Sequence, residues 1–401
     1  MSNPTRKQVA SEVLAWFEAT WNPDLPLLEW REVLVASGWA VPSWPTQWHG
    51  RGLPVWADRL AHDTIRKAGG VTTPLGSGMS LAAPTIVEHG SDDVKQRLLR
   101  PTLTGEISWC QLFSEPGAGS DLAGLRCSAV RDGDDWIVSG QKVWNTSAHH
   151  ADMGMLLART DPTVPKHAGI TYFALPMDQE GIEVRPIEQM NYYDSFTEVF
   201  LTECRIPADN VIGDVGDGWR VARATLMHER TFATMGKVRY PKGVLGRTVS
   251  EAKAESDDYL KTYVWYPQRA GRADLLLERA RSKGLSGDPV VRQALADMLS
   301  FQRAQEWTAA RAKAARQLGR APGPEGSLGK LGASELARRS ARTHSLISGA
   351  SAMLGEGPEP NDAIIAEVLL STPAQSIAGG TDEIQRNIIA EKILGLPREP
   401  S

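Results

Sequence analysis

Apolar residues recur at helical spacing over about the first quarter of the chain, at strand spacing over the next quarter, and at helical spacing again beyond it. From Thr5 to Trp21, Val9, Val13 and Phe17 stand four residues apart, the signature of a helix with one buried stripe, and Asn3 or Thr5 can cap its first turn. Leu28 to Ser37, Val55 to Ala68 and Leu81 to His89 repeat the pattern. Ser91-Asp92-Asp93 opens a further helix, expected to run through Leu99, with acidic residues where the helix dipole favours them. The passage SGWAVPSWPTQWHGRGLP excludes a long helix by its Pro and Gly content. Its Trp39, Trp44 and Trp48 read either as a ligand platform or, as is commoner, as aromatic burial where helices meet. An all-helical domain ends near Gly105.

The period then shortens. Ile107 to Phe113, Cys127 to Val130, Trp136 to Val138, Met153 to Ala158, Ile170 to Leu175, Ile182 to Pro186 and Glu198 to Leu201 are short and separated by turns such as Arg131-Asp132-Gly133-Asp134. They predict a small antiparallel barrel or sandwich. Helix returns at Gly218, and Lys261 to Lys283, Asp288 to Leu318 and Leu328 to Gly355 carry long helical patterns broken by the Gly319 to Gly326 loop, a bundle of long antiparallel helices. The fold class is α+β, with domains at 1–107, 108–213 and 214–401.

Composition narrows the function classes. A chain of 401 residues with 41% hydrophobic and 23% charged content is globular and long enough for a large shared core. A net charge of -4 with scattered basic residues gives no reason to bind nucleic acid or an anionic membrane. Cys110, Cys127 and Cys204, without a CxxC pair, read as small buried hydrophobes rather than a disulfide framework or zinc site. His149-His150 would point apart on a strand, and His228 lies off the stripe described below, so no metal is expected. The N-terminus lacks an apolar leader and no stretch approaches about 18 apolar residues, so a cytoplasmic location is expected.

Two features carry candidate chemistry. The Gly-rich turn Ser114 to Asp121 offers bare N–H groups to an anion, but without a following Gly-Lys-Ser/Thr it is not a nucleotide-triphosphate loop; a plain tight turn stays open. On the helix after Asp217, residues Trp219, Ala222, Leu226, Glu229 and Ala233 fall on one stripe. Glu229 there is either a rim carboxylate paired with Arg223 or Arg230, or a lone carboxylate set among apolar side chains.

The order SEPGAGSD, then SGQKVWNT, resembles the flavin-binding middle domain of the acyl-CoA dehydrogenase family, where (T/S)EPxAGSD precedes NGxKxWIT. Ser114 stands where Thr is commoner and Asn145 where Ile is common. The resemblance covers essentially the whole chain, the tryptophan-rich passage and the exit EVFLTECRIPADNVIG included, and implies an N-terminal helical domain, a middle antiparallel β-barrel and a C-terminal four-helix bundle. It implies FAD held by Gln111, Leu112, Phe113, Ser114, Gly119, Ser120, Trp144, Asn145 and Thr146, with Trp144 on the ring face, Thr146 at flavin N5 and Ser120 also near the CoA moiety. Glu229, in LMHERTF, matches the base position of isovaleryl-type members, and Arg230 a substrate-side arginine.

Near the C-terminus, IAGGTDEIQR resembles the family's other base motif with Gly379 in the glutamate's place. The resemblance puts Gly379 and Gly380 near the substrate and Thr381, Asp382 and Glu383 near FAD. The reaction implied is removal of an α-proton from an acyl-CoA thioester by Glu229, with the β-hydrogen leaving as hydride to flavin N5, to give a 2-enoyl-CoA; electrons then pass to an electron-transferring flavoprotein. The RxxFG run that serves the FAD diphosphate across an interface has no clear match at Leu277 to Leu285, and the LGGxGY turn is blurred at Ser348 to Ala352. This combination resembles actinobacterial acyl-CoA dehydrogenases of steroid side-chain breakdown, which pair two different subunits around one FAD. Either Arg279 or Arg281 serves the phosphates in a homo-oligomer, or a sister subunit does in a hetero-oligomer. A flavin oxidase or monooxygenase, and a catalytically silent partner subunit, are the competing readings.

Overall fold

A computed structural model describes residues 4–232, 246–317, 323, 325–354 and 361–397. The chain packs as two units, one of residues 1–187 and 194–262, the other of residues 188–193 and 263–401.

In the first unit, α1 (Arg6–Thr20) starts with a capping box: Thr5 accepts the Gln8 N–H and the Gln8 side chain accepts the Thr5 N–H. It buries Val9, Val13 and Phe17, the expected stripe. α2 (Leu27–Ala36) buries Trp30, whose indole N–H donates to Val71 at 2.9 Å. Trp39 is buried and Trp44 and Trp48 pack partly against the same core, which bears out aromatic burial for that passage. α3 (Trp56–Lys67) and α4 (Ala83–His89) follow as expected. α5 (Asp92–Thr104) is capped by Ser91 and runs past Leu99 with Pro101 inside it. The continuation is driven by burial of Leu98, Leu99 and Leu103 on one face, which outweighs the hydrogen bond lost at proline.

All seven expected strands form: β1 (Trp109–Leu112), β2 (Ser128–Asp132), β3 (Asp135–Thr146), β4 (Met153–Arg159), β5 (Ile170–Pro176), β6 (Ile182–Ile187) and β7 (Phe196–Pro207), in one curled sheet. Its pairings are antiparallel except that β1 runs parallel to β4 and β2 touches β4 in parallel at Ser128 and Arg159, so the sheet is mixed where a purely antiparallel one was expected. β3 and β7 extend to 12 residues each, well beyond their apolar cores at Trp136 to Val138 and Glu198 to Leu201. Polar residues interrupt the alternation there but find partners in the fold, as Gln141 does on Glu198 at 2.8 Å. One sheet face buries Leu112, Val138, Leu156, Leu175 and Val199; the other, through Met155, Leu157, Tyr172 and Ala174, joins the helical core. Cys110, Cys127 and Cys204 are free and buried, as expected of small hydrophobes.

α6 (Gly218–Phe232) lies on this second face and α7 (Arg247–Lys261) packs against α2. In the second unit, the expected helix from Lys261 to Lys283 is broken into α8 (Tyr266–Arg269) and α9 (Leu276–Ser282), because Pro267 opens one piece and Arg272, at φ 46°, turns the chain left-handed before the next. α10 (Pro289–Gln317) and α11 (Glu325–Ser348) are the long pair, followed by α12 (Asp362–Ser371) and α13 (Asp382–Lys392). Most of the Gly319 to Gly326 loop, and Gly355, lie outside the described residues. Among the described residues no helix is long and apolar enough to cross a membrane.

Candidate functional site

β1 leads through Phe113 and Ser114 into a tight turn in which Glu115 and Ala118 exchange backbone hydrogen bonds of 3.0 Å. Glu115 is charged and buried. Its carboxylate accepts the N–H groups of Arg126 at 2.6 Å and Cys127 at 2.9 Å, and the Lys142 ammonium at 2.8 Å. Lys142, wholly buried in β3, also donates to the Phe113 carbonyl at 3.1 Å. Burying two charges is costly unless donors and acceptors are matched. Here they are matched, and the pair fastens the turn, residues 126–127 and β3 together. Burial also pushes the Cys127 thiol up to about 11, against the pull of Lys142, which keeps it a protonated core group.

Just beyond Lys142 the β3–β7 ladder slips register, and Trp144 occupies the irregularity at φ 64°. The left-handed region costs an L-residue roughly 1–2 kcal/mol and is unusual for a bulky one. The indole is 58% exposed and meets Phe196 edge-on. Asn145 is buried; its side-chain amide N–H donates to the Gln111 carbonyl at 2.7 Å and its main-chain carbonyl accepts the Thr197 hydroxyl at 3.0 Å. Gln111, Ser114 and Thr146 are half-buried, while Gly119 and Ser120 are exposed. The Leu112 and Phe113 side chains face the core, so a ligand at this surface would meet their main chain.

α6 begins at Gly218, where a Cβ would lie 2.6 Å from the Thr171 carbonyl carbon of β5, so glycine is what lets the helix start sit this close to the strand. About two turns on, the buried Thr225 hydroxyl lies 2.9 Å from that of Thr85 in α4 and 3.3 Å from that of Tyr172 in β5. Tyr172 in turn packs edge-on against Phe113. This chain of contacts sets the helix against the strand that enters the loop. Trp219, Ala222 and Leu226 pack into the core along the expected stripe, and Glu229, one turn past Thr225, is half-buried. His228 Nε2 is 3.2 Å from Glu88 of α4. Ala233 and the side chain of Arg230 lie outside the described residues. His149 and His150 sit on a 3-10 turn with ring centroids 4.0 Å apart, which corrects their expected strand placement.

In the second unit, Gly379 and Gly380 turn left-handed at φ 68° and 82°, and the buried Gln385 amide donates to both their carbonyls. Thr381 caps α13 by accepting the Ile384 N–H. Asp382 is buried, with one oxygen 2.9 Å from Lys330 and the other 2.7 Å from Arg338. Burial works against ionisation, but Arg338 and Lys330 hold the carboxyl well below its ordinary range. Its oxygens thus anchor the turn. Glu383 is exposed beside Arg386. Arg279, a candidate for phosphate binding, is buried against Asp362 at 3.0 Å and Ser348 at 2.8 Å, whereas Arg281 is exposed.

An exposed aromatic face beside a turn whose Gly117 and Gly119 leave open space fits a flat heteroaromatic cofactor such as a flavin. Trp144 and the turn are legible in the sequence, whereas the Glu115–Lys142 pair and the Phe113–Tyr172–Thr225 contacts are not. A lysine at a core-facing strand position is the one local signal that was available.

Family models described as acyl-CoA dehydrogenase N-terminal, middle and C-terminal domains match residues 3–106, 110–204 and 272–394. The chain is 34% identical to the acyl-CoA dehydrogenase IpdE1 of Mycobacterium tuberculosis over 377 residues, 92% of this chain and 88% of that one. It is 39% identical over 372 residues to the acyl-CoA dehydrogenase FadE34 of the same organism, covering 92% of this chain but spanning only 46% of the relative's length. Among solved structures, the ChsE4-ChsE5 complex from Mycobacterium tuberculosis matches with a TM-score of 0.66 and 25% identity, over 100% of this chain and 99% of that one.

Proposed function

The chain belongs to the acyl-CoA dehydrogenase family of flavoprotein oxidoreductases, and from that premise we propose that it catalyses the FAD-dependent α,β-dehydrogenation of an acyl-CoA thioester to a 2-enoyl-CoA. The observation that carries the cofactor part is Trp144, an exposed indole held in a left-handed conformation beside an open Gly-rich turn. When bound, FAD supplies the hydride acceptor. Gln111, Leu112, Phe113, Ser114, Gly119, Ser120, Asn145 and Thr146 would hold it with Trp144, and the resemblance adds Thr381, Asp382 and Glu383 as FAD contacts. Ser120, Arg230, Gly379 and Gly380 would bind the acyl-CoA.

Glu229 is the α-proton base in this reading. A thioester α-proton is weakly acidic, so the base must be partly desolvated, and the half-buried position on an otherwise apolar helix face supplies that. Hydrogen bonds to the thioester carbonyl, from a backbone N–H such as that of Gly379, would stabilise the developing enolate. The electrons would pass to an electron-transferring flavoprotein. The division at 1–107, 108–213 and 214–401 is kept, with the flavin and acyl-CoA read as binding the middle part. A sister subunit is supported by the resemblance to the two-protein ChsE4-ChsE5 complex.

The test is anaerobic titration of the purified protein, alone and with the product of its genomic neighbour, against acyl-CoAs of graded length and branching and a steroid acyl-CoA. Bleaching of the flavin by at least one thioester is expected. Flavin that is reduced by none of them, yet reacts with oxygen and another donor, would favour the oxidase reading.

A further inference from the structure

Trp144 is bracketed by two buried polar side chains that reach back to one short stretch of chain. Lys142, before it, donates to the Phe113 carbonyl and the Glu115 carboxylate; Asn145, after it, donates to the Gln111 carbonyl. Between the two the β3–β7 register slips and Trp144 turns left-handed. A buried lysine is a costly fastening, since an apolar side chain of equal length would fill the space without desolvating a charge. An apolar side chain would not, however, fix the separation and direction of β3 relative to Phe113 and Glu115 within hydrogen-bond tolerance. The Glu115 carboxylate extends the fastening to residues 126 and 127.

From this geometry, and resting on the flavin reading above, we infer that Lys142, Glu115 and Asn145 are positioning residues, a clamp that holds Trp144 left-handed so that its indole faces the bound flavin ring. They act through the backbone at 144 and need not touch the cofactor.

Glu115→Gln/Lys142→Met removes both charges at nearly constant volume, whereas either single change strands one charge. Trp144→Gly is placed in the wild-type chain and in this double variant, and melting is measured without flavin. Glycine relieves backbone strain only where the clamp imposes it, so its effect should be more favourable in the wild-type chain by about 1 °C or more. Equal shifts in both backgrounds overturn the clamp, whether or not the chain binds flavin.

The second readout is the emission of added FAD, which a stacked indole quenches. Wild type, supplied with a sister subunit where it takes up little FAD alone, should bind FAD with quenched emission; the double variant in the same assembly should bind at least tenfold more weakly, with emission partly restored. Unchanged affinity and quenching in a folded double variant overturn the inference. A wild type that takes up no FAD, alone or with a sister subunit, while the glycine effect remains coupled to the pair, supports the clamp and defeats the flavin reading instead. Asn145→Leu leaves the ion pair intact and carries the same two comparisons if the double variant does not fold.

Discussion

Glu229 is half-buried on a helix face whose neighbours Trp219, Ala222 and Leu226 pack into the core. Glutamine keeps its shape while removing the proton acceptor, so Glu229→Gln should keep FAD and acyl-CoA affinity and lose about 10²–10⁴-fold in the rate of anaerobic flavin reduction. Retention of most of the rate would move the base to another residue. Gly379 is the other position that the resemblance singles out. Nothing obstructs a side chain there, but φ 68° means that a glutamate costs roughly 1–2 kcal/mol. Gly379→Glu should therefore melt a few degrees lower, and an unchanged melting temperature would mean that the turn at 379 is not held left-handed in solution.

At the scale of elements, the helix that carries Glu229 depends on Gly218, where a Cβ would come within 2.6 to 2.8 Å of three backbone atoms of β5. Gly218→Val should cost about 1–3 kcal/mol through overpacking and shift α6, lowering the melting temperature and the flavin reduction rate together. A variant that melts normally but reduces slowly would show the helix start to be catalytic in some other way. Elements such as α1 were legible because one apolar stripe with a cap decides them locally. The length of β3 is not legible, because a buried Lys142 looks like a strand end until its partner Glu115, 27 residues away, is in place. The expected helix over Lys261 to Lys283 breaks where Gly271 and Arg272 turn left-handed in succession, at φ 89° and 46°; the glycine is a breaker legible in the sequence, whereas nothing local marks the arginine. Within the candidate site the order of the motifs was readable, whereas the contacts that fasten the loop to β3 are long-range and carry no local pattern.

For the whole molecule, each unit holds a histidine drawn out of water: His62 in the first, half-buried with Nε2 2.8 Å from the Ala40 carbonyl, and His344 in the second, fully buried. Burial lowers both to about 4, so they are neutral when folded. The unfolded chain, titrating near 6.5, binds more protons between those values, so stability is full above about pH 6.5 and is lost as pH falls toward 4, by up to about 3 kcal/mol per histidine. Calorimetry from pH 7.5 to 4.5 should show falling transitions; a flat profile would mean that neither histidine is buried in solution. Assembly tests the other whole-molecule feature. The RxxFG run is missing, and Arg279 is committed to Asp362 and Ser348 inside its own unit, which leaves Arg281 as the one exposed arginine of α9. A diphosphate favours charge-assisted arginine contacts worth roughly 1.5–3 kcal/mol each, so the loss of one should weaken FAD binding by about tenfold or more. Expressed alone, the chain should therefore bind flavin weakly or aggregate. Co-expressed with a sister subunit that retains RxxFG, it should form a heteromer with about one FAD per heterodimer, the ratio expected when one of two sites is degenerate. If Arg281 reaches the phosphates instead, the chain alone forms a homo-oligomer with a full flavin complement. Mass and flavin absorbance of the singly expressed protein decide between them, and one tightly held FAD per chain in a homo-oligomer would sink the two-subunit reading.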